Sequence, residues 1–574
     1  MILFRKVARL LALFLLLTLL ASVATWLYLN PQSHRQQLFI NGTVLTMDAS
    51  NTVAEAMLVS GKKILATGSR HQLEKLASIN AVDIDLEGRT VIPGFIEAHG
   101  HFPASGLDAI SADLRNPPAG TVNTMAELLH KLEIQSGEET EGWIIGTGYD
   151  DTLLKTETPL TRTELDKVSN TRPVFVRHIS GHMAVINSTG LKLLGFESSS
   201  SSPFGGAIEK DDEGNLTGVI KGTALHPVLE KVFNLSYKKL IKALANSVED
   251  YMVEGVTSVQ NGLTRQPLYF PLAVMSATGF IPQRLTFWPE EKLAEQIENK
   301  HSFPDGQKVR TGALKLVTDG AIQLYTAYLS SPYQTVPAGK PASYRGSPAF
   351  HENELIRTVH KWHDRGWQIA FHANGDAAID QVLNAIELAQ KKNFREDHRH
   401  TLVHSQVIRS GQLDRLKQLG MTVSFFPALI YYWGDRHREL FLGEQRASHI
   451  NPLKTAIDKG IRFTIHSDSP VTPVDSMGLI NSAVNRQTRS GKVLGEHERI
   501  DVINALRAVT IDAAWQVFRE DEVGSLESGK LADFVILSEN PLEKPDHLTE
   551  IKVEETWIGG AKRYDRDHFS EQTE

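Results

Sequence analysis

Five short segments of this chain place imidazoles, carboxylates or a lysine where apolar runs give way to loops. In Pro93-Gly94-Phe95-Ile96-Glu97-Ala98-His99-Gly100-His101, two histidines stand two residues apart at the end of an apolar stretch. Residues i and i+2 of an extended strand point to the same side, so both imidazoles can reach one cation. His372 ends Trp367-Gln368-Ile369-Ala370-Phe371-His372, and His404 ends Thr401-Leu402-Val403-His404. Ile465-His466-Ser467-Asp468-Ser469-Pro470 places a carboxylate just past another such run. Each histidine alone reads as a hydrogen-bonded core residue, and an Asp in that position reads equally as a loop cap. Taken together, the bland reading needs repeated coincidence, whereas one divalent metal site explains all of them. Asp468 is then both a ligand and a general base toward metal-activated water.

The fifth segment is Gly312-Ala313-Leu314-Lys315-Leu316-Val317-Thr318-Asp319-Gly320. A lysine inside an apolar strand is costly to bury without a partner or a chemical change. Two readings stand side by side: a buried salt bridge to Asp319 or Asp468, or addition of CO2 to the amine, giving a carbamate whose two oxygens bridge two metals. The chain contains no cysteine, which removes thiolate metal sites, disulfides and cysteine nucleophiles from consideration. Its formal net charge of -8 gives no basic footprint for nucleic acid.

The residues between these segments must position them. Short apolar or β-branched runs alternate with helical patterns, as parallel βα units do. Eight strands are expected, over Val91 to His99, Val256 to Gln260, Gln283 to Trp288, Ala313 to Thr318, Gln368 to His372, Thr401 to His404, Thr422 to Phe426 and Arg462 to His466. Helices are expected over His351 to Arg365, Ala377 to Lys392, Gly411 to Leu419 and Asn451 to Lys459. The fold class is therefore α/β, a (β/α)8 TIM-type barrel spanning 91–510, whose chemistry sits at the carboxyl ends of the strands. The first two strands lie too far apart for one crossover, so 103–230 is expected to be an inserted cap subdomain. Leu38 to Met47 and Ala56 to Gly68 read as hairpins around Asn-Gly and Gly-Lys turns. Ala532 to Leu537 and Ile551 to Ile558 have the same alternation, so 31–90 and 511–574 should build one composite β-sandwich.

Leu10 to Leu29 carries no charge and follows Arg5, Lys6 and Arg9. At about 1.5 Å per residue it covers a hydrocarbon layer of about 30 Å. An N-terminal transmembrane helix within 1–30 is favoured over a cleaved signal peptide ending near Ser22-Val23-Ala24, because the apolar run continues past Ala24. The expectation is a single-pass protein of the cell membrane, anchored through residues 10–29, with its catalytic domain on the extracytoplasmic, periplasmic side. Cleavage would instead make it secreted or periplasmic.

The order His99/His101, Lys315, His372, His404 and Asp468 on successive strands resembles the ligand set of the amidohydrolase superfamily. Within it the chain is similar to the YtcJ-like, amidohydrolase-3 group, which includes N-substituted formamide deformylases. Supporting segments are Gly142 to Asp150, Ser180 to Ser188, Lys315 to Gly320 and Gly524 to Asp533, and the likeness spans about Leu38 to Gly560. The resemblance implies that His99, His101, Asp468 and carbamylated Lys315 bind one metal, and Lys315, His372 and His404 another. One or two ions are implied, zinc being the metal expected, together with a small-molecule amide substrate and a possible homodimer. The implied reaction is hydrolysis of a non-peptide C–N bond in an N-acyl or N-formyl amide. His178 and His182, in Arg177-His178-Ile179-Ser180-Gly181-His182, are candidate donors to the carbonyl oxygen or equally a structural strand and turn. Tyr149 and Asp150 are further candidates, while His437 and His449 read as structural or solvent-facing. A deaminase or a lactone or cyclic-amide hydrolase would use the same groups, and a non-catalytic scaffold on the fold is a different class of reading.

Overall fold

At Gly94 the chain passes from one architecture into another. A Cβ there would lie 2.3 Å from the Thr257 side chain, so only a glycine lets the two backbones approach this closely. Gly94 N–H donates to Asp533 O at 3.0 Å, whereas Phe95 N–H donates to Gly255 O at 3.1 Å. The partner sheet changes between these two residues. Thr90–Pro93 lies in a six-stranded sheet and Phe95–Gly100 in the barrel, so the single strand expected over Val91 to His99 is two strands in two sheets. The structure is a computed structural model that describes residues 36–568 apart from 139–140, 156–158 and 338.

Two sheets pack face to face outside the barrel. One runs Lys63–Gly68, Ala56–Ser60, Gln36–Ile40 and Val82–Asp85. The other runs Ala561–Asp565, Val553–Ile558, Phe534–Leu537, Thr90–Pro93, Thr43–Leu45 and Val53–Ala54, mixing strands from both ends of the chain. Phe39 from the first sheet meets Phe534 and Trp557 from the second at ring centroid distances of 5.1 and 5.4 Å. The expected Gly-Lys hairpin is present, with Ser60 paired to Lys63. The Asn-Gly segment is not a hairpin turn. Gln36–Ile40 and Thr43–Leu45 belong to different sheets, and the crossing is tight enough that a Cβ on Gly42 would sit 2.4 Å from Arg89 O.

The barrel is two parallel sheets. Phe95–Gly100, Val256–Thr264, Arg284–Pro289 and Val309–Thr311 form the first, and Leu314–Val317, Ile369–Ala373, Thr401–His404, Thr422–Phe425 and Phe463–Ile465 the second. Gly312 N–H donating to Phe287 O at 2.7 Å joins them on one side; Asp468 N–H to His99 O at 3.2 Å and His101 N–H to Ser469 O at 2.9 Å join them on the other. The short Val309–Thr311 strand had no sequence signal beyond two β-branched residues. Helices Glu352–Asp364, Asp376–Lys392, Ser410–Gln418 and Leu453–Asp458 separate the later strands, close to their expected bounds.

Between the first two barrel strands the chain builds a six-stranded sheet, in the order Gly206–Lys210, Leu216–Gly222, Met183–Ile186, Val174–His178, Ile144–Tyr149, Ala112–Asp113. Its opposite faces carry separate cores, one around Leu128, Leu132 and Val176 and the other around Ile145, Phe175 and Ile220. Trp433 Nε1–H, on the barrel helix Ala428–Arg436, donates to Asp150 Oδ2 at 2.8 Å and fastens this sheet to the barrel.

The membrane assignment needs correction. The apolar segment over residues 10–29 lies outside the described residues, and among the described residues no helix is long and apolar enough to cross a membrane. The described helices give the expected single-pass membrane placement no support.

A buried ion pair ties barrel to sandwich. Arg284 donates through Nε and Nη2 to the two carboxylate oxygens of Asp533, with both side chains at most 3% exposed, and Gly559 N–H adds a third bond at 2.7 Å. Burial pushes the Asp533 carboxyl up, but Arg284 and the hydrogen bonds outweigh it and leave the group below 3.8. A depressed carboxyl contributes stability above its unfolded pKa and loses it as the pH falls through the folded one. Asp533→Asn should therefore cost about 3–5 kcal/mol at neutral pH, read as a lower urea midpoint. The gap to the native chain should narrow below the ordinary carboxylate range. A gap of constant size on acidification would contradict this account.

Candidate active site

The barrel brings the six candidate ligands to one mouth. His99 lies on Phe95–Gly100 and His101 immediately follows it; Lys315 is on Leu314–Val317, His372 on Ile369–Ala373, His404 ends Thr401–His404, and Asp468 follows Phe463–Ile465. His99 Nε2 and His101 Nε2 converge on Asp468 Oδ1 at 3.4 and 3.2 Å. His99 Nε2 is also 3.2 Å from Lys315 Nζ. His404 Nε2 lies 4.0 Å from Asp468 Oδ2 and 3.0 Å from His372 Nδ1.

Backbone geometry holds two of these residues in place. His404 has φ +71° and Asp468 φ +54°, in the left-handed region that residues with a Cβ seldom adopt, and each such placement costs of order 1–3 kcal/mol. Both residues nonetheless face the shared centre.

Electrostatics keep the imidazoles neutral. Burial holds His99, His372, His404 and His466 well below the usual imidazole range, with neighbouring cationic groups adding to the effect. They are neutral at physiological pH, a state in which an imidazole keeps one lone pair. Burial also lowers the Lys315 ammonium to about 7, against an opposing pull from Asp468. Among the described residues Lys315 forms no ion pair, and its other neighbour is the Trp288 ring, whose centroid lies 5.7 Å from Nζ. The expected alternative of a salt bridge to Asp319 is not what forms. Asp319 instead accepts backbone N–H groups from Asn374, Gly375 and Tyr328 at 2.9, 2.8 and 3.0 Å, because the loop after His372 folds over it.

The donor set fits a divalent cation. Asp468 Oδ1 is buried without a hydrogen bond even though two imidazole nitrogens converge on it. One ligand atom from each of His99, His101 and Asp468 lies within 4.8 Å of the others. Lone pairs of neutral imidazoles and of a carboxylate cannot satisfy one another, whereas a cation satisfies all three. His99, His101 and Asp468 would hold it, and His372 Nδ1 and His404 Nε2 present a second pair of nitrogens beside Lys315.

The two cap histidines separate. The His182 ring lies 4.9 Å from that of His372, and burial takes its pKa down to about 3, so it is a neutral imidazole at the barrel mouth. His178 turns elsewhere: Nδ1 contacts Ser180 Oγ at 3.0 Å, and Nε2 faces Asp150 Oδ1 at 3.8 Å and Asp151 Oδ1 at 3.7 Å. Asp150 is held by Thr152 and Trp433, and Tyr149 OH accepts Leu160 N–H, so both serve the cap's own framework. His437 is buried against Gln406, and His449 is exposed.

Several supporting residues carried no motif of their own. His466 Nε2 contacts His404 Nδ1 at 3.0 Å and its own Nδ1 contacts Ser424 Oγ at 2.8 Å, a chain that fixes which His404 nitrogen faces the centre. The His466 position at a strand end was the only available signal. Glu97 accepts His99 N–H at 3.3 Å and both the N–H and hydroxyl of Ser467, bracing the first and last strands, and burial raises its carboxyl to about 7. Gly262 is the least legible. Its carbonyl accepts His101 Nδ1–H at 2.8 Å, and a Cβ there would sit 2.0 Å from His99 Cε1.

Gly262→Ala should therefore dislodge His99 while leaving the distant sandwich intact. The expected outcome is metal affinity weakened about 10–100-fold, as for other changes that misorient a ligand, with a near-native circular dichroism spectrum. Titration with zinc against a chromogenic chelator checks this, and undiminished affinity would contradict the assigned packing.

With this geometry in hand, three comparisons bear on identity. The sequence model described as "Amidohydrolase family" matches residues 83–564. The chain is 28% identical to an N-substituted formamide deformylase of Arthrobacter pascens, over 93% of this chain and 99% of that one. It is 29% identical to the putative amidohydrolase YtcJ of Bacillus subtilis, over 92% and 98%. Among solved structures it is similar to an uncharacterized metal-dependent hydrolase of Pyrococcus horikoshii, with TM-score 0.72 and 26% identity over 89% of this chain and 99% of that one. The family match covers most of the chain and the fold agrees: the protein belongs to the amidohydrolase family and is a metal-dependent hydrolase of C–N bonds.

Proposed function

We propose that this enzyme hydrolyses an N-acyl or N-formyl amide, with Asp468 moving the proton between water and the leaving nitrogen. The observation that carries this reading is the convergence of His99, His101 and the unsatisfied Asp468 oxygen, with Lys315 buried beside them and lacking a carboxylate partner. Likeness to a formamide deformylase along nearly the whole chain favours an acyl substrate over the deaminase and lactonase alternatives.

A divalent metal, zinc in this reading, would supply Lewis acidity that polarises the carbonyl and lowers the pKa of water toward about 7. The remaining work falls to side chains. Asp468 accepts a proton as the water oxygen bonds to the carbonyl carbon, then delivers it to nitrogen as the C–N bond breaks. The products are an amine and a carboxylic acid, which loses its proton to solvent. His182, neutral and poised over His372, donates its ring N–H to the carbonyl oxygen as negative charge grows there. The inserted sheet, fastened through Asp150 to Trp433, brings His182 to the mouth. Lys315 enters as a carbamate: its neutral amine bonds to the carbon of CO2 and one proton leaves. With the two oxygens so gained, Lys315 would help hold an ion together with His99, His101 and Asp468, and His372 and His404 would hold a second.

The reaction class is tested by supplying the metal-loaded chain with N-formyl and N-acyl amines, cyclic amides, lactones and aminopurines. Release of free amine from the first two groups is expected. Lactone opening or ammonia release with the linear amides untouched would transfer the assignment to an alternative. Lys315→Ala separates bridge from strut. It should lose at least one metal equivalent and most activity, with partial recovery in bicarbonate or a short carboxylate. Unchanged metal stoichiometry in a folded variant would contradict the carbamate.

A further inference from the structure

One side chain at the barrel mouth has no internal explanation. Arg177 lies on Val174–His178, the inserted strand that leads directly to His182. Its Nε is buried without a hydrogen-bond partner, and among the described residues its guanidinium forms neither a hydrogen bond nor an ion pair. The other cation nearby, Arg265, follows the Val256–Thr264 strand and is matched by Glu290 at 3.4 Å. Arg177 has no such match. Burial and then the Arg265 charge work against it, Asp468 steadies it, and its own charge adds to the burial that disfavours protonation of His182. The group is therefore electrostatically in touch with both the candidate base and the candidate carbonyl donor.

The chain makes room for this guanidinium rather than tolerating it. Gly181 has φ +74°, and a Cβ there would lie 2.8 Å from Arg177 Nη2. Only glycine both takes that backbone conformation without strain and leaves the guanidinium its place. Arg177 as a residue keeps partial exposure, although its Nε is buried. An arginine offering Nε–H and an Nη–H side by side presents a planar fork that matches the two oxygens of a carboxylate. Leaving such a fork partly desolvated and unpaired is unfavourable in a structural role, because burial removes hydration that nothing replaces. In a recognition role it becomes the source of specificity, since a ligand lacking the anion leaves it unpaired.

We propose that Arg177 is the anchor for a carboxylate carried by the substrate, so that the amides this enzyme turns over are N-acyl amino acids and related carboxylate-bearing amides. This rests on the amide-hydrolase reading above and narrows it. Position fits the role: the strand that presents Arg177 runs through a short turn into His182, so a substrate held by its carboxylate has its amide carried toward the His372 side of the metal centre. The cap then selects the substrate by charge, and the barrel acts on it.

The test uses matched pairs that differ only in the carboxylate. N-formylphenylalanine is compared with N-formyl-2-phenylethylamine, and N-benzylsuccinamic acid with N-benzylbutyramide, on the metal-loaded full chain. In at least one pair the acid should be favoured in kcat/KM on the order of 100-fold, the size of a charge-assisted bidentate contact. Arg177→Met should collapse that preference mainly through KM at unchanged metal content, and Arg177→Lys, which keeps the charge but not the fork, should fall between. Equal or reversed preference in both pairs, or the same preference in R177M, overturns the proposal. A binding arm is independent of turnover. By calorimetry, 3-phenylpropionate should bind R177M at least about tenfold more weakly than the native protein, whereas equal binding overturns the anchor even if amides are hydrolysed. If no amide is hydrolysed but this binding difference holds, the anion site stands and the amide reading fails. Phenylphosphonate binding more tightly than 3-phenylpropionate, with the same loss in R177M, would overturn the carboxylate assignment in favour of a phosphoryl group. R177K carries both arms if R177M does not fold.

Discussion

The structure is organised around a concentration of buried nitrogen bases with too little negative charge to match them. His99, His372, His404, His466 and Lys315 are each at most 6% exposed; Asp468 is the carboxylate on which His99 and His101 converge, while Asp319, 3.6 Å from His372 Nε2, is taken up by backbone donors. Water is excluded, so the groups must satisfy one another or be satisfied from outside. They do so only in part. The imidazoles stay neutral, the lysine is driven toward neutrality, and one Asp468 oxygen keeps no hydrogen bond. A divalent cation resolves this imbalance in one step, and the surrounding strain, tight packing and buried carboxylates make sense as devices that hold the site in shape until it binds.

Those devices sit at every level. Left-handed backbone is found at the candidate ligands His404 and Asp468. Gly262 offers a carbonyl to one histidine and empty space to the next, and the Ser424–His466 chain fixes the nitrogen that His404 presents. Glu97 and Asp319 take backbone donors from the loops that follow the strands, so loops carrying chemistry are pinned by charge as well as by packing. Farther out, Arg284 and Asp533 lock the barrel to the sandwich, and Trp433 holds the inserted sheet over the mouth. The cap then works against a fixed reference, as substrate selection by Arg177 requires.

Much of this was legible in the chain because ligands announce themselves chemically. A histidine or lysine ending an apolar strand has few explanations, and the six candidates stand at the mouth of one barrel for that reason. The helices between later strands were legible because amphipathic periodicity is a local property. What escaped was set by contact across the fold. Nothing local distinguishes Gly262 from other glycines; its role exists only because the His99 ring lies against it. The switch at Gly94 was hidden because the strand pattern continues through it while the hydrogen-bond partner changes. Asn41-Gly42 has the composition of a hairpin turn, yet the chain uses it to step between sheets. Lys315 and Asp319 look like partners four residues apart, but the loop after His372 claims the carboxylate first. The unmatched state of Arg177 could not be read at all, since it is an absence of partners in space.

The central claim is that these groups hold metal through Lys315. Anomalous diffraction at the zinc edge from crystals of the metal-loaded protein tests it most directly. The account predicts two peaks about 3.5–4 Å apart, one beside His99, His101 and Asp468 and the other beside His372 and His404, with electron density for a carboxyl group continuing from Lys315 Nζ between them. A single fully occupied peak beside a bare Lys315 amine would contradict it.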